Sequence, residues 1–375
     1  MKKKTKASQR RLNNLLIILL LMAVLLIMST YAWFTANRTV KIDTIDVTVT
    51  TSSGLQISAN GIDWKTVLAT EDLALAHEAH DSSAGTGGYT DVTYNFNQLP
   101  KYVAPVSTVL NRNPNNGNHL DMFFGNVGAD LESDPDAAGS TYGQNLLTAT
   151  RQTDTLTSGF ETTESENYYL AFDIFLKLDA NTQAGTADDI YIGGAVAETT
   201  DVVKGSENAA RVAIVKGGNT TELTDTSVIH ALSTDGVAML WEPNYDCHTA
   251  QAIQHATALG WASGIQAGTG QAQVDYSGVM AECDKILEKN ATAALNPTYF
   301  KDVEPTWATT KAETVDLKMA EGLNSGVTKF RIYMWIEGQD IDCENYASGA
   351  ELGLDLGFSL DAYSDGNTKN PGTTY

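Results

Sequence analysis

The residues closest to a catalytic motif are two histidines that flank a glutamate. His77, Glu78 and His80 are the residue types of a zinc-binding helix, in which histidines at positions i and i+4 bind the metal and the glutamate activates a water. The second histidine here comes at i+3, so the general base does not reach the standard geometry. The sequence has no Gly-x-Ser-x-Gly segment, phosphate loop or dinucleotide fingerprint. Catalytic residues are therefore not expected.

Oxygen-bearing side chains suggest a second kind of chemistry, the binding of calcium. Asp179, Asn181, Asp188 and Asp189 fall within one short segment. Calcium takes six to eight oxygen ligands, usually from flexible chain. Gln183 replaces an acid of the EF-hand pattern, and the glycine comes one position late. A solvated loop is the default interpretation, calcium is kept as a hypothesis, and no other cofactor is expected.

The first 34 residues have the pattern of an export signal. Six basic residues and no acid precede 14 consecutive apolar residues, Leu15 to Met28, a length typical of a signal-peptide core. Because signal peptidases need small side chains near the scissile bond, cleavage is predicted between Ala32 and Trp33. An uncut apolar segment that continues through Phe34, about 20 residues, is long enough to stay as a membrane anchor.

Both alternatives place the basic cluster inside the cell and the rest of the chain outside. The protein is therefore predicted to be extracellular or at the cell surface, and to touch the membrane only through its N-terminal segment. Six of the 24 basic residues lie before position 33, which leaves 18 against 46 acids and a formal charge of −28. Such a surface repels phosphate backbones, so nucleic acid is excluded as a partner.

Three cysteines in an exported chain cannot all pair internally. Cys247, Cys283 and Cys343 allow three single disulfides, and the sequence does not choose among them. The favoured pair is Cys283 with Cys343, because a helix predicted over residues 276–289 has to pack on the large surface of the terminal strands. The remaining thiol is predicted to be buried or to join subunits.

Alternating apolar and polar residues predict β-strands along most of the chain. In residues 168–178 every second side chain is apolar while Asp173 has the other parity, which predicts a strand buried on one face. Residues 330–336 and 352–360 repeat the pattern and are expected to pair or to neighbour each other. Shorter strands are predicted at 40–49, 55–57, 92–96, 210–215 and 315–319.

Many strands without alternating helices predict an all-β, jelly-roll-like antiparallel β-sandwich. Helices are predicted only at residues 71–80 and 276–289. The predicted organisation is a signal peptide or membrane anchor that forms an N-terminal hydrophobic helix, then a sandwich with a partly helical insertion, then a flexible tail. The bounds of these parts are 1–32, 33–361 with the insertion at about 225–310, and 362–375.

The start of the chain resembles a known family. Thr30-Tyr31-Ala32 is followed by Trp33-Phe34-Thr35 and, after a polar stretch, by the strand Thr44-Ile45-Asp46-Val47. This arrangement is similar to the beginning of the TasA/camelysin family of Gram-positive surface and biofilm-matrix proteins, and the similarity covers roughly residues 12 to 50. The resemblance implies a jelly-roll domain, release by a SipW-type signal peptidase and assembly into extracellular fibres.

In the assembly that the resemblance implies, the N-terminal strand of one subunit completes the sheet of the next. An extended strand can pair its backbone with an open sheet edge while alternate side chains fill pockets. The alternative, an ordinary first strand within one subunit, stays open. The side chains expected to make the contacts are Trp33, Phe34, Val40, Ile42, Ile45, Val47 and Val49.

The sequence thus predicts an exported structural protein of the cell surface or matrix that polymerises with itself, with a signal peptidase as its other partner. The alternative is a membrane-anchored monomeric adhesin or glycan-binding module. A secreted metallopeptidase, the activity described for camelysin, is the least favoured function.

Overall fold

The structure is a computed structural model of the chain, and the residues that it describes fall into sixteen ranges. They are 39–49, 55–73, 99–113, 119–127, 146–152, 166–178, 188–200, 204–245, 247–258, 277–279, 283–287, 300–308, 317–323, 325–338, 340–343 and 349–360. The predicted leader, the pair His77 and His80, the predicted strand 92–96 and the predicted tail lie outside them. Among the described residues, no helix has the length and apolar character needed to span a bilayer.

The described chain is mostly β-strand with a few short helices. The strands of its first half are β1 (Val40–Val49), β2 (Leu55–Ser58), β3 (Val67–Leu68), β4 (Tyr102–Val103), β5 (Arg112–Asn113), β6 (His119–Leu120), β7 (Met122–Val127), β8 (Leu146–Gln152), β9 (Glu166–Asn167) and β10 (Leu170–Leu178). The second half contains β11 (Asp188–Glu198), β12 (Ala210–Thr220), α1 (Thr226–His230), β13 (Ala238–Glu242), α2 (Ala250–Ala258), β14 (Ser277–Val279), β15 (Cys283–Leu287), β16 (Phe300–Asp302), β17 (Trp307–Ala308), β18 (Leu317–Leu323), β19 (Gly326–Ile336) and β20 (Glu351–Ser359).

Two large sheets pack around one apolar core. The seven-stranded sheet has the order β18-β11-β20-β1-β4-β9, with β3 also paired to β1, and the six-stranded sheet has the order β17-β13-β12-β19-β10-β2. Ile45, Leu354 and Ile332 are among the buried side chains of the shared core. The rings of Phe330 and Phe358 stack across it, with centroids 6.5 Å apart. The β-rich, two-sheet architecture predicted from the alternation is thus confirmed.

The expected neighbours are wrong for the last two strands. Strand β19 lies in the six-stranded sheet and β20 in the seven-stranded sheet, so the two runs face each other across the core instead of pairing. Strand β20 pairs with β11 on one side and with β1 on the other. The pairing of β1 with β20 is parallel, and therefore the expectation of a purely antiparallel sandwich is also wrong. A parallel pair needs a long crossover, which a local sequence pattern does not reveal.

Strands β10 and β19 of the six-stranded sheet are buried on both faces. Every residue of β19 is buried, and β10 is buried except at Lys177. The prediction of strands with one solvent-facing side is therefore wrong here. An outer cover, which we define as residues 106–113 and 119–124, packs on the second face. Val106, Leu120 and Met122 from this cover form an apolar cluster with Tyr333 and Trp335 of β19.

Two predictions about the segment 225–310 are corrected. Residues 277–279 and 283–287 form strands β14 and β15, so the helix predicted over 276–289 is wrong; β15 pairs with β8, and sheet pairing overrides the local helical spacing. Strands β13 and β17 belong to the six-stranded sheet, so this segment is only partly an insertion. It does contain helices α1 and α2. Of the other predicted helix, residues 71–73 are helical and the remainder lies outside the described residues.

Candidate functional site

Strand β1 contains most of the residues predicted to make subunit contacts. Its bounds are those predicted, and Val40, Ile42, Ile45, Val47 and Val49 are all buried in the core between the sheets. Within the single chain, β1 pairs with β20 of the same chain, from Lys41 opposite Glu351 to Val49 opposite Phe358. Trp33, Phe34 and the predicted cleavage residue Ala32 lie outside the described residues.

The two edges of β1 are paired to different extents. On one side β20 runs along almost its whole length, whereas on the other side β4 pairs only with Val40 and Lys41, and β3 only with Val47 and Thr48. Between these two short pairings, the side chain of Thr70 makes the hydrogen bonds that a neighbouring strand would otherwise make. The backbone N–H of Ile45 donates to Thr70 Oγ1 at 2.7 Å, and the Thr70 hydroxyl donates to the Ile45 carbonyl at 3.2 Å. Strand β1 is therefore held mainly by β20 and by its buried apolar side chains.

The alternating acids and bases of the six-stranded sheet form a buried network beneath the outer cover. Arg331 Nε and Nη2 donate to the two carboxylate oxygens of Asp173 at 2.7 and 3.0 Å, and Lys329 Nζ lies 3.2 Å from the same carboxylate. The imidazole of His119, from the cover, lies beside Arg331 and the Tyr333 hydroxyl. Burial would raise the pKa of Asp173, but the charges of Arg331 and Lys329 outweigh it and hold that pKa below its usual value. This network is a structural element rather than an open site, because all three charged side chains are inaccessible.

A second group of ionisable side chains gathers at one end of the six-stranded sheet. We call this group, which consists of Arg211, Glu242, His248, Asp340 and Asp342, the end cluster. Arg211 lies near the start of β12, Glu242 ends β13, His248 precedes α2, and the two aspartates follow β19. The side chains of all five are between 0% and 5% exposed. Four separate chain segments thus place ionisable side chains next to one another in the protein interior.

Arg211 holds one side of the end cluster together. Its Nη2 atom lies 2.5 Å from Glu242 Oε1 and donates to Asp340 Oδ2 at 2.6 Å. Its Nη1 atom donates to the carbonyl oxygens of Asn208 and Ala210. Hydrogen bonds to charged groups are shorter and stronger than neutral ones. The guanidinium therefore fixes the positions of both carboxylates.

His248 and Asp342 form the other side of the end cluster. His248 Nδ1 lies 2.7 Å from Asp342 Oδ2, and the backbone N–H of Thr249 donates to Asp342 Oδ1 at 2.9 Å. The backbone N–H of Asp342 donates to Asp340 Oδ1 at 2.8 Å. Burial lowers the pKa of His248, but the hydrogen bond to Asp342 and the nearby negative charges outweigh it, so the net shift of this pKa is upward. An imidazole and two carboxylates that are already oriented in this way can hold either a proton or a metal ion.

A pair of glutamates in the same part of the fold should make stability depend on pH. Burial and a hydrogen bond to the carboxyl of Glu207 raise the pKa of Glu198 from 4.5 to about 7. The folded chain then keeps a proton that the unfolded chain releases between these values, so the free energy of unfolding should fall as the pH rises from about 4.5 to about 7. Urea unfolding at several pH values measures this slope, and Glu198→Gln should reduce it.

Glu222 provides the control for this measurement. Its side chain is half-buried, and hydrogen bonds from the Thr224 backbone and hydroxyl and from the Asp225 backbone lower its pKa to about 2. It therefore stays charged throughout the pH window. Glu222→Gln should leave the slope unchanged, and a slope that Glu198→Gln does not reduce would contradict the assignment.

The other predicted site residues are only partly placed. Asp188 and Asp189 begin strand β11 rather than lying on a loop, while Asp179 and Asn181 lie outside the described residues, so calcium at this segment stays a prediction. Cys343 is buried and Cys247 is half-buried. Cys283 belongs to β15, a strand instead of the predicted helix, and its side chain is outside the described set. The pairing of Cys283 with Cys343 therefore stays a prediction.

The end cluster was not identified from the sequence, although weak signals exist. Asp340 and Asp342 alternate just after β19, where a solvent-facing turn is the ordinary interpretation. His248 and Asp342 are 94 positions apart, and nothing local indicates that they meet. Comparisons of the chain with protein-family models, curated proteins and solved structures find no match.

Proposed function

We propose that this chain is an exported structural protein of the cell surface or extracellular matrix, and that its subunits form fibres by exchanging strand β1. The proposed order of events is cleavage between Ala32 and Trp33, release outside the cell, and insertion of residues 33–49 into the sheet of a neighbouring subunit. The observation that carries this proposal is the position of β1, which is buried, apolar and held chiefly by a strand from the far end of the chain. We also propose that the two sheets have a jelly-roll-like arrangement.

Strand exchange suits β1 because its main partner is distant in sequence. Thr48 and Leu356, which touch through a side-chain hydrogen bond, are 308 positions apart. A copy of β1 from another subunit can make the same backbone pairs and fill the same pockets, so exchange costs few contacts. Residues 50–54 join β1 to β2, which lies in the other sheet, and they would form the hinge. Each subunit then both donates and accepts a strand. When the rotation that relates one subunit to the next does not close a ring, the assembly stays open and grows as a fibre.

The negative charge of the chain and its N-terminal leader support a location outside the cell. A strongly acidic chain preceded by a basic, apolar segment is typical of export. Its own copies and a signal peptidase are the proposed partners. Because the formal charge is negative, divalent cations in the medium are expected to promote contact between subunits.

The direct test is a cross-link across the β1/β20 pair. Asp46 and Asp355 stand opposite each other, and Asp46 is exposed while Asp355 is half-buried. The full chain with Asp46→Cys and Asp355→Cys is expressed with its leader in a Gram-positive secretion host, and the released material is treated with a short bismaleimide. Exchange should give a ladder of covalent multimers on a denaturing gel. Linkage only within single chains would contradict it.

Three measurements accompany the cross-link. Each single-cysteine variant shows the background from the natural cysteines. Electron microscopy of released protein should show filaments that disappear when residues 33–49 are deleted. Mass spectrometry should find Trp33 as the first residue, whereas a retained Met1 together with a persistent monomer would favour the membrane-anchored adhesin.

A further inference from the structure

We propose that Asp46 and Asp355, which we call the acid pair, form a pH switch that controls how readily strand β1 leaves β20. This inference rests on the proposed function, because exchange of β1 begins with its release from the sheet of its own subunit. Asp46 of β1 stands directly opposite Asp355 of β20 in the parallel pair. Like charges opposite each other on neighbouring strands destabilise the pairing. Two charged carboxylates therefore weaken the contact that has to break.

The carboxylate of Asp355 is not compensated within the described part of the chain. Its side chain is half-buried, and the buried Oδ1 atom accepts no hydrogen bond from a described residue. Buried polar atoms are nearly always hydrogen-bonded, so an exception needs an explanation. A proton on Asp355 removes the charge, which lowers the cost of burying the carboxyl group and ends its repulsion with Asp46.

Strand β11, on the other side of β20, offers no opposite charge at this position. Ala195 is the residue of β11 that stands opposite Asp355. The charged residue of β11 nearest to Ala195 in sequence is Glu198, an acid that accepts hydrogen bonds from the backbone of residues 204–206. A Cβ at Gly194 would collide with the carbonyl oxygen of Asp355, so the two backbones lie close together here. The side of β20 that can open is therefore the one that faces β1.

The basic residue of β1 is already held at the start of the strand pair. Lys41 Nζ lies 3.0 Å from Asp43 Oδ1 and 3.0 Å from Glu351 Oε2. That end of the pair is thus compensated, whereas the acid pair, farther along the same two strands, combines two groups of like charge.

The acid pair links release of β1 to pH. Burial and the charge of Asp46 raise the pKa of Asp355 above its ordinary value of 3.8. After β1 leaves, the repulsion from Asp46 ends and solvent reaches the carboxyl group, so its pKa returns toward that value. The closed subunit therefore keeps a proton that the opened subunit gives up. Release should become easier as the pH rises from about 3.8 through the raised pKa.

The acid pair sets the rate of exchange rather than its end point. A β1 strand from another subunit brings its own Asp46 opposite Asp355 in the same register, so the closed and exchanged forms contain the same pair. Protonation stabilises both forms equally and slows only the step in which β1 is released. An acidic medium should therefore preserve whichever form is present, and a neutral medium should permit exchange.

The experiment uses the protein released by the secretion host and a fluorescent peptide with the sequence of residues 39–49. Entry of the peptide into the sheet requires release of the resident β1, and fluorescence anisotropy follows its rate. From about pH 4 to about pH 8 the rate should rise at least threefold. Asp355→Asn, which keeps the shape of the side chain, should remove this dependence. Asp46→Asn in both chain and peptide should move it to lower pH without removing it.

Glu198→Gln is the matched control. The pKa of Glu198 is also raised, but β11 does not pair with β1. This variant should show the same pH dependence of peptide entry as the unchanged chain. A rate that does not vary with pH, or a dependence that survives Asp355→Asn, would overturn the inference.

A double-mutant cycle separates this inference from strand exchange itself. Asp46→Asn, Asp355→Asn and the double variant are unfolded with urea at about pH 4 and about pH 7. The two changes should be coupled at the higher pH, where each removes the same repulsion, and nearly additive at the lower pH. Coupling without entry of the peptide at any pH would reject strand exchange while confirming the proton-dependent contact. Entry without coupling would reject the acid pair as the switch.

Discussion

Replacing Asp173 with alanine is expected to lower the free energy of unfolding by about 3–5 kcal/mol, because it leaves two buried cations without their counter-ion. The side chains of Asp173, Lys329 and Arg331 are all inaccessible, and His119 of the outer cover lies beside Arg331. The pKa of Lys329 is already lowered to about 8, chiefly by burial and in part by the charge of Arg331, even with Asp173 present. Urea unfolding followed by circular dichroism measures the loss.

Asp46→Ala is the matched control, since it removes an exposed carboxylate from a strand of the other large sheet. It should change stability by less than about 0.5 kcal/mol. If the two variants are equally stable, the buried network contributes nothing and the expectation is wrong. Replacing all three charged residues with apolar side chains of similar size should recover much of the stability, because the desolvation of the charges then disappears as well.

The second large effect is expected at Trp335, the bulkiest contact between β19 and the outer cover. Its side chain is fully buried and its indole Nε1 donates to Glu337 Oε2 at 3.1 Å. Trp335→Ala removes this volume and a donor to a buried carboxylate, and it should cost about 3–5 kcal/mol. The cover should also become easier to cleave with a protease, which limited proteolysis measures.

Trp64 supplies the comparison for Trp335. It is only half-buried, and its ring lies 4.4 Å below the ammonium of Lys177. Trp64→Ala should cost about 1 kcal/mol, in the range of an exposed cation–π contact. Equal losses for the two tryptophans would mean that the outer cover is not a packed layer.

Much of the strand content could be predicted from the sequence, because alternation is a local property. Strand β1 has its predicted bounds, and β20 differs by one residue at each end. The partners of each strand could not be predicted, since pairing depends on residues hundreds of positions apart. Asp173 illustrates the limit. Alternation places its polar side chain at a position expected to face solvent. The outer cover packs on that face of the sheet, and the negative charge is compensated by neighbouring buried cations.

Some residues of the candidate sites could be predicted from the sequence, and others could not. The apolar residues of β1 were identified because they alternate within ten positions. The end cluster was missed because its members come from four segments, each of which has an ordinary polar residue near the end of an element. The helix predicted around Cys283 failed for a related reason. Its helical spacing is real, but pairing of β15 with β8 satisfies the backbone instead.

The parallel alignment of β1 and β20 has a mechanical consequence. The start of β1 lies beside the start of β20, so a pull applied before residue 40 and after residue 359 acts on opposite ends of the pair. The load then runs along the strands and tries to slide one past the other. Eight paired positions share that shear at once instead of peeling apart singly. A subunit built in this way should therefore resist stretching between these two points.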